Sequence, residues 1–182
     1  MIRIIDLMAS LLGLLLLWPI FLIVILAGFL DTGSPIFIQK RVGRNKKSFK
    51  LIKFRTMSVE TKSIASHLAS NASITKLGRF LRKTKIDELP QLINVVKGEM
   101  SLVGPRPNLF NQKELLKERD ANGVYDVLPG VTGLAQIQNI DMSTPELLAK
   151  TDKEMIDSLT LKDYFKYILM TVTGSGSGDA VK

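Results

Sequence analysis

The residues best suited to chemistry are Asp87 and Glu88, adjacent carboxylates inside Thr84-Lys85-Ile86-Asp87-Glu88-Leu89-Pro90-Gln91. Such a pair offers hard oxygen ligands to a divalent cation and a carboxylate nucleophile that can form an acyl-phosphate. Cations accompany it. Arg79 and Arg82 precede the pair, Lys53 and Arg55 sit among apolar neighbours, and Arg106 stands between Pro105 and Pro107. Guanidinium forks match phosphate and carboxylate oxygens, and a proline on each side stiffens the Arg106 backbone before any ligand arrives. With no cysteine and a single histidine, His67, the chain has no Cys-type zinc site and no multi-histidine metal site. It also carries no P-loop, dinucleotide fingerprint or catalytic histidine.

These side chains need rigid carriers. Pro90 suits a first helical turn, so a helix is expected to begin within Ile86–Leu89. It continues through Leu89, Leu92, Ile93 and Val96 on one face and is capped by Gly98. Both acids would then lie near a helix start, where free N–H groups favour an ionised carboxylate and a docked phosphate. Ile74 to Lys83 has helical spacing and feeds directly into the pair. Ile36-Phe37-Ile38 and Phe49 to Phe54 read as two strands joined by a turn at Val42–Asn45, with Lys53 and Arg55 at the end of the second. Ser58 to Ser73 reads as a polar connection or a weak helix.

From Leu7 to Leu30 no residue is charged, and Asp6 and Asp31 bracket the run. As a helix it would be roughly 36 Å long, enough to cross a hydrocarbon core of about 30 Å. Trp18-Pro19 at its middle predicts a kink. A carbonyl freed by Pro19 needs a new partner, with Ser10, Thr32 or a water as candidates. Both a kinked span and a re-entrant helix fit, and length and composition alone favour the span. In either case the basic cluster Lys40, Arg41, Arg44, Lys46, Lys47, Lys50, Lys53 and Arg55 puts the body on the cytoplasmic side of the membrane. Most of that cluster suits anionic lipid headgroups. The net charge of +8 points to an anionic partner. A nucleic-acid reader would need stacking aromatics exposed among the basic residues, but Phe37, Phe49 and Phe54 read as core strand positions, so nucleic acid is not expected as a partner.

Further on, Lys113 to Arg119 reads as a charged, exposed helix, and Pro129-Gly130 as the centre of a type II turn. Leu134 to Ile137 is a short strand candidate, and Pro145 to Ala149 opens another helix. Thr160 with Asp163 can cap the last helix. Its stripe of Leu161, Tyr164, Phe165, Ile168, Leu169 and Val172 suits either the core or a membrane interface. Gly174 to Gly178 reads as a flexible linker. The expected fold is α+β and mostly helical. Residues 1–31 would be a membrane helix, 32–173 a cytoplasmic catalytic domain with a short β-hairpin, and 174–182 a flexible tail.

Four blocks, in order, resemble the bacterial sugar transferases, the monotopic phosphoglycosyl transferases in their minimal single-domain form. They are Lys53-Phe54-Arg55-Thr56-Met57, Asp87-Glu88-Leu89-Pro90-Gln91, Gly104-Pro105-Arg106-Pro107 and Pro129-Gly130-Val131-Thr132-Gly133-Leu134-Ala135-Gln136. The resemblance runs from the Trp18-Pro19 helix to at least Gln138. It implies transfer of a sugar-1-phosphate from a UDP-sugar to a polyprenyl (undecaprenyl) phosphate with release of UMP, the first membrane step of bacterial glycan assembly. It implies Asp87 as the nucleophile forming a phosphoglycosyl-aspartate, and Mg2+ held by Glu88 with Asp87. Substrate contacts are expected from Lys53, Arg55, Arg79, Arg82, Arg106 and Gln136. It also implies a re-entrant rather than spanning helix. The chain departs from the family after Gln136, where Ile137-Gln138-Asn139-Ile140-Asp141 stands in place of a frequent Asn-Gly-Arg. That departure bears on sugar identity, not on the reaction class.

Overall fold

A computed structural model describes residues 2–61 and 73–174. His67 and most of the Ser58–Ser73 stretch lie outside the described residues, as does the tail after Gly174. Helix α1 (Ile2–Thr32) starts before the uncharged run and takes Asp6 into its first turns. It is long and apolar enough to cross a membrane, and only 11% of its most apolar window is buried. The chain stays helical through Pro19, and Trp18 is exposed. The Thr32 hydroxyl lies 3.3 Å from the carbonyl oxygens of Gly28 and Ser34. It therefore closes the end of α1 and does not serve the carbonyl near Pro19.

One face of α1 meets the body along most of its length. Asp6, Ser10, Val24 and Gly28 are buried, three to four residues apart or multiples of that spacing. A Cβ on Gly28 would come within 2.7 Å of the Pro35 Cβ, so only glycine permits that approach. At the other end, the Asp6 carboxylate accepts from the Ser101 hydroxyl (3.0 Å), the Leu102 amide (2.8 Å) and the Tyr164 hydroxyl (2.5 Å). Burial and this contact together raise the pKa of the Tyr164 phenol, so it stays a donor.

Strands β1 (Ile36–Val42) and β2 (Ser48–Phe54) form an antiparallel hairpin in register from Ile36 opposite Phe54 to Val42 opposite Ser48. The first strand is longer than the sequence suggests. Period-2 alternation turns Phe49 and Leu51 toward Val95 and Met100, and Phe54 toward Val24 and Leu81. The hairpin is thus packed on both faces. At the outer edge of β2, the Asn94 side chain accepts from the Ile52 amide (3.0 Å) and donates to the Lys50 carbonyl (2.7 Å).

Helix α2 (Lys76–Thr84) is capped by the Thr75 side chain and ends at Lys85, whose φ of 57° is left-handed. A 3-10 turn over Ile86–Glu88 follows, then α3 (Gln91–Lys97), closed by Gly98 at φ 82°. The acid pair therefore lies in a tight turn one step before α3, with Pro90 as the junction. Strands β3 (Ser101–Val103) and β4 (Gly130–Thr132) pair in parallel.

Two local expectations are corrected here. Gly130 belongs to a strand and is not among the residues at positive φ, so Pro129-Gly130 does not form the type II turn. Its glycine is needed for close approach, because a Cβ would lie 2.1 Å from the Gly104 amide nitrogen. Leu134–Ile137 is a short helix, α5, not a strand. Periodicity cannot separate the two over four residues, three of them apolar.

Helix α4 (Lys113–Ala121) is not simply an exposed charged helix, since Leu115 and Arg119 are buried. Helix α6 (Pro145–Ser158) packs beside it. Helix α7 (Leu161–Val172) carries the expected Thr160–Asp163 capping box. Its apolar stripe is wider than the face it buries. Tyr164 and Tyr167 enter the core with Val103 and Met155, while Phe165, Leu169 and Val172 are exposed.

Candidate active site

Asp87 and Glu88 are 2% and 6% exposed. Glu88 Oε1 accepts from Arg106 Nη2 at 2.7 Å. The two prominent motifs of the sequence are thus joined by one ion pair, whose side chains are 7% and 19% exposed. Lys85 lies beside it. Burial lowers the Lys85 pKa, the Glu88 charge opposes that shift, and Arg106 adds to it.

The loop carrying Arg106 has no regular secondary structure, yet each carbonyl from Pro105 to Leu109 accepts a hydrogen bond. The donors, in order, are the Gly130 amide (2.9 Å), Arg119 Nη1 (2.7 Å), Arg41 Nη1 (3.1 Å), the Val42 amide (2.9 Å) and Asn108 Nδ2 (3.0 Å). Two prolines restrict the loop covalently, and these bonds fix it from three other segments and from within. Arg106 is therefore presented by rigid backbone.

Beside this loop is a narrow cleft lined by Arg41, Lys53, Gln91 and Arg106, with Leu51 and Val131 as apolar walls. Three cationic side chains, one of them bridged to Glu88, line this small cleft, a composition suited to a multiply charged anion. Arg41 and Lys53 are buried on adjacent strands of the hairpin, so they are held by sheet geometry.

The remaining expected contacts divide. Arg55 Nε donates to the Ser34 carbonyl at 2.8 Å, and its guanidinium lies over the Phe37 ring, 5.3 Å from the centroid. Lys53 Nζ is 6.0 Å from the same centroid. Arg82 Nε donates to Thr56 Oγ1 at 2.9 Å, and Arg79 is exposed on α2. Gln136 Nε2 donates to the Val131 carbonyl at 2.8 Å, tying it to the cleft wall, and its Oε1 is buried without a hydrogen-bond partner. Arg55, Arg79, Arg82 and Gln136 do not line the cleft with Arg106.

The model for the bacterial sugar transferase family matches residues 1–176. The chain belongs to that family. Its relatives include the "uncharacterized sugar transferase EpsL" of Bacillus subtilis, 40% identical over 93% of this chain and 84% of the relative. Another is a UDP-glucose:undecaprenyl-phosphate glucose-1-phosphate transferase of Caulobacter vibrioides, 35% identical over 93% of this chain and 67% of the relative. An undecaprenyl-phosphate glucose phosphotransferase of Komagataeibacter xylinus is 42% identical over 82% of this chain but only 29% of its own length. The chain spans 34% and 41% of relatives from Haemophilus influenzae and Streptococcus agalactiae, so several family members carry much additional sequence.

The sequence reading did not single out Arg41, Gln91 or Arg119. For Arg41 a signal existed: extending the first strand to Val42 puts Arg41 on the same face as Phe37. Gln91 lies within a recognised block but carries no chemistry that marks it. Arg119 gives no local signal at all.

Proposed function

We propose that this chain moves a sugar-1-phosphate from a UDP-sugar to polyprenyl phosphate, with Asp87 as the covalent carrier. An Asp87 carboxylate oxygen attacks the sugar-linked phosphorus. The anhydride bond to UMP breaks, and UMP leaves with the bonding pair. A phosphate oxygen of the lipid then attacks the same phosphorus, the Asp87–phosphorus bond breaks, and the carboxylate is restored. The observation that carries this reading is the buried Asp87–Glu88 pair, bridged at 2.7 Å to Arg106 beside a cleft with two further cations. UDP-sugars and undecaprenyl phosphate appear in the names of relatives. Arg106, Arg41 and Lys53 would neutralise the diphosphate so that an anion can attack it.

Asp87 and Glu88 offer hard oxygen donors, and the described residues contain no group of three or more candidate metal-ligating side chains. That donor set fits Mg2+ held jointly by protein carboxylate and substrate phosphates, not an all-protein cage. When bound, the ion would offset phosphate charge as UMP departs.

For the membrane, α1 meets the body through Arg3 and Asp6 near its start and through Val24 and Gly28 near its end. A helix crossing the bilayer away from a cytoplasmic domain would touch that domain at one end only. We infer a helix that enters and returns, with anionic lipid around the basic hairpin. The exposed Phe165, Leu169 and Val172 of α7, beside Lys162 and Lys166, would lie at headgroup level. A single cysteine at Ile2 tests this. Labelling by an impermeant reagent from outside intact cells would refute the return.

The reaction is tested by UMP release from UDP-glucose and UDP-galactose with undecaprenyl phosphate and Mg2+. Without lipid acceptor, the intact mass of the protein should rise by one hexose phosphate and should not rise in Asp87→Asn. Turnover by purified Asp87→Asn would remove Asp87 from its role.

A further inference from the structure

Arg119, on α4, is 1% exposed and bonds across to Asp152 of α6. Its Nε and Nη2 donate to Asp152 Oδ2 at 3.0 and 2.6 Å. Its Nη1 donates to the Arg106 carbonyl at 2.7 Å and to Asn108 Oδ1 at 3.1 Å. Asn108 Oδ1 also accepts from the Tyr125 hydroxyl at 3.0 Å. A single guanidinium thus joins an acid 33 residues away in sequence to the backbone of the residue that grips Glu88.

We propose that Arg119, oriented by Asp152, is a positioning residue for the reaction, acting through the Arg106 backbone to set the Arg106 guanidinium against Glu88 and the anion cleft. This rests on the function proposed above. Three features carry it. The contact is to the Arg106 carbonyl itself, not to a neighbour. Both partners are fully buried, so their geometry is not averaged by solvent. The fork to Asp152 fixes the guanidinium plane, and this in turn fixes where Nη1 points. Lysine at this position keeps the charge but cannot reach Asp152, Asn108 and the carbonyl together.

The discriminating measurement uses Arg119→Lys alone, Arg106→Ala alone, and both together, on the full chain in detergent or nanodiscs. UDP affinity and the kcat/KM for a turned-over UDP-sugar are read at a temperature where circular dichroism shows each variant folded. Arg119→Lys is expected to weaken UDP binding and kcat/KM about tenfold. In the Arg106→Ala background it should change UDP binding less than twofold, because its route to the ligand is gone, while it lowers Tm equally in both backgrounds. Asp152→Asn, which keeps the volume and one acceptor, supplies a milder variant and should fall between wild type and Arg119→Lys. Wild-type UDP binding in folded Arg119→Lys overturns the proposal, as does an equal loss with and without Arg106. Wild-type protein that binds UDP but turns over no UDP-sugar counts against the proposed reaction and leaves the positioning result to be read from binding. Wild-type protein that binds no UDP overturns both.

Discussion

Two buried ion pairs among the described residues are of nearly equal length. Glu88–Arg106 closes at 2.7 Å and Arg119–Asp152 at 2.6 Å. Their surroundings differ. Arg119 and Asp152 side chains are each 2% exposed, and the Arg119 nitrogens that bond Asp152, Asn108 and the Arg106 carbonyl all face protein. Arg106 is 19% exposed and lines a cleft with two other cations. Burial pushes the Asp152 pKa up and the Arg119 charge pulls it down, with burial prevailing. Distance alone therefore does not separate a structural pair from one proposed to act on substrate. What separates them is exposure, with the Arg106 side chain reaching the surface and the Arg119 side chain enclosed. The pairs are also coupled in series, since the first hangs on backbone held by the second.

Experiments can break that comparison at several points. The largest effect is expected from Asp87→Asn, next to the Glu88–Arg106 pair. It should reduce turnover by a factor of about 10³ or more, because asparagine keeps the volume but is no nucleophile. Its Tm should stay near wild type, and UMP release measured alongside thermal unfolding checks both halves. Next is Arg119→Met, which leaves the buried Asp152 carboxyl without its ion-pair partner. It should cost about 3–5 kcal/mol of folding stability, read by thermal or denaturant unfolding in detergent. If stability barely changes, the inner pair is not the structural one.

Arg106→Lys should invert that pattern. We expect a loss of roughly tenfold in kcat/KM, about 1.4 kcal/mol, with little change in Tm, because lysine cannot fork onto two oxygens. Equal activity would make Arg106 a point charge only. The smallest effect belongs to a third pair of the same length. Lys153 and Asp157 sit 2.6 Å apart on α6, but their side chains are 44% and 57% exposed. Lys153→Ala should change stability by no more than about 0.5 kcal/mol, read by the same unfolding experiment.

The residues of the outer pair were legible, though not their contact, and those of the inner pair were not, for physical reasons. Asp87-Glu88 before Pro90, and Arg106 between two prolines, carry their geometry in adjacent residues. So do the Thr160–Asp163 capping box and the two-strand hairpin. Arg119 closes a stretch in which six of the nine residues from Lys113 to Ala121 are charged, and such a stretch reads as solvent-facing. Its burial depends on Asp152, which no local rule connects to it. Gly130 failed for the same reason, because its lack of a side chain answers to Gly104, 26 residues earlier. Asp6 was read as the boundary of an apolar run, whereas three donors from β3 and α7 make it an internal anchor.

The Asn94 side chain has a consequence for how copies of this protein behave when crowded together. A hairpin with an open outer edge offers a template onto which a foreign strand can add, and that is a common route to aggregation. In β2 the central amide and carbonyl of that edge are already engaged, by Ile52 to Asn94 and by Asn94 to Lys50. One amide side chain thus imitates a neighbouring strand for a single step. Strand addition would have to displace a fully buried residue before it could begin.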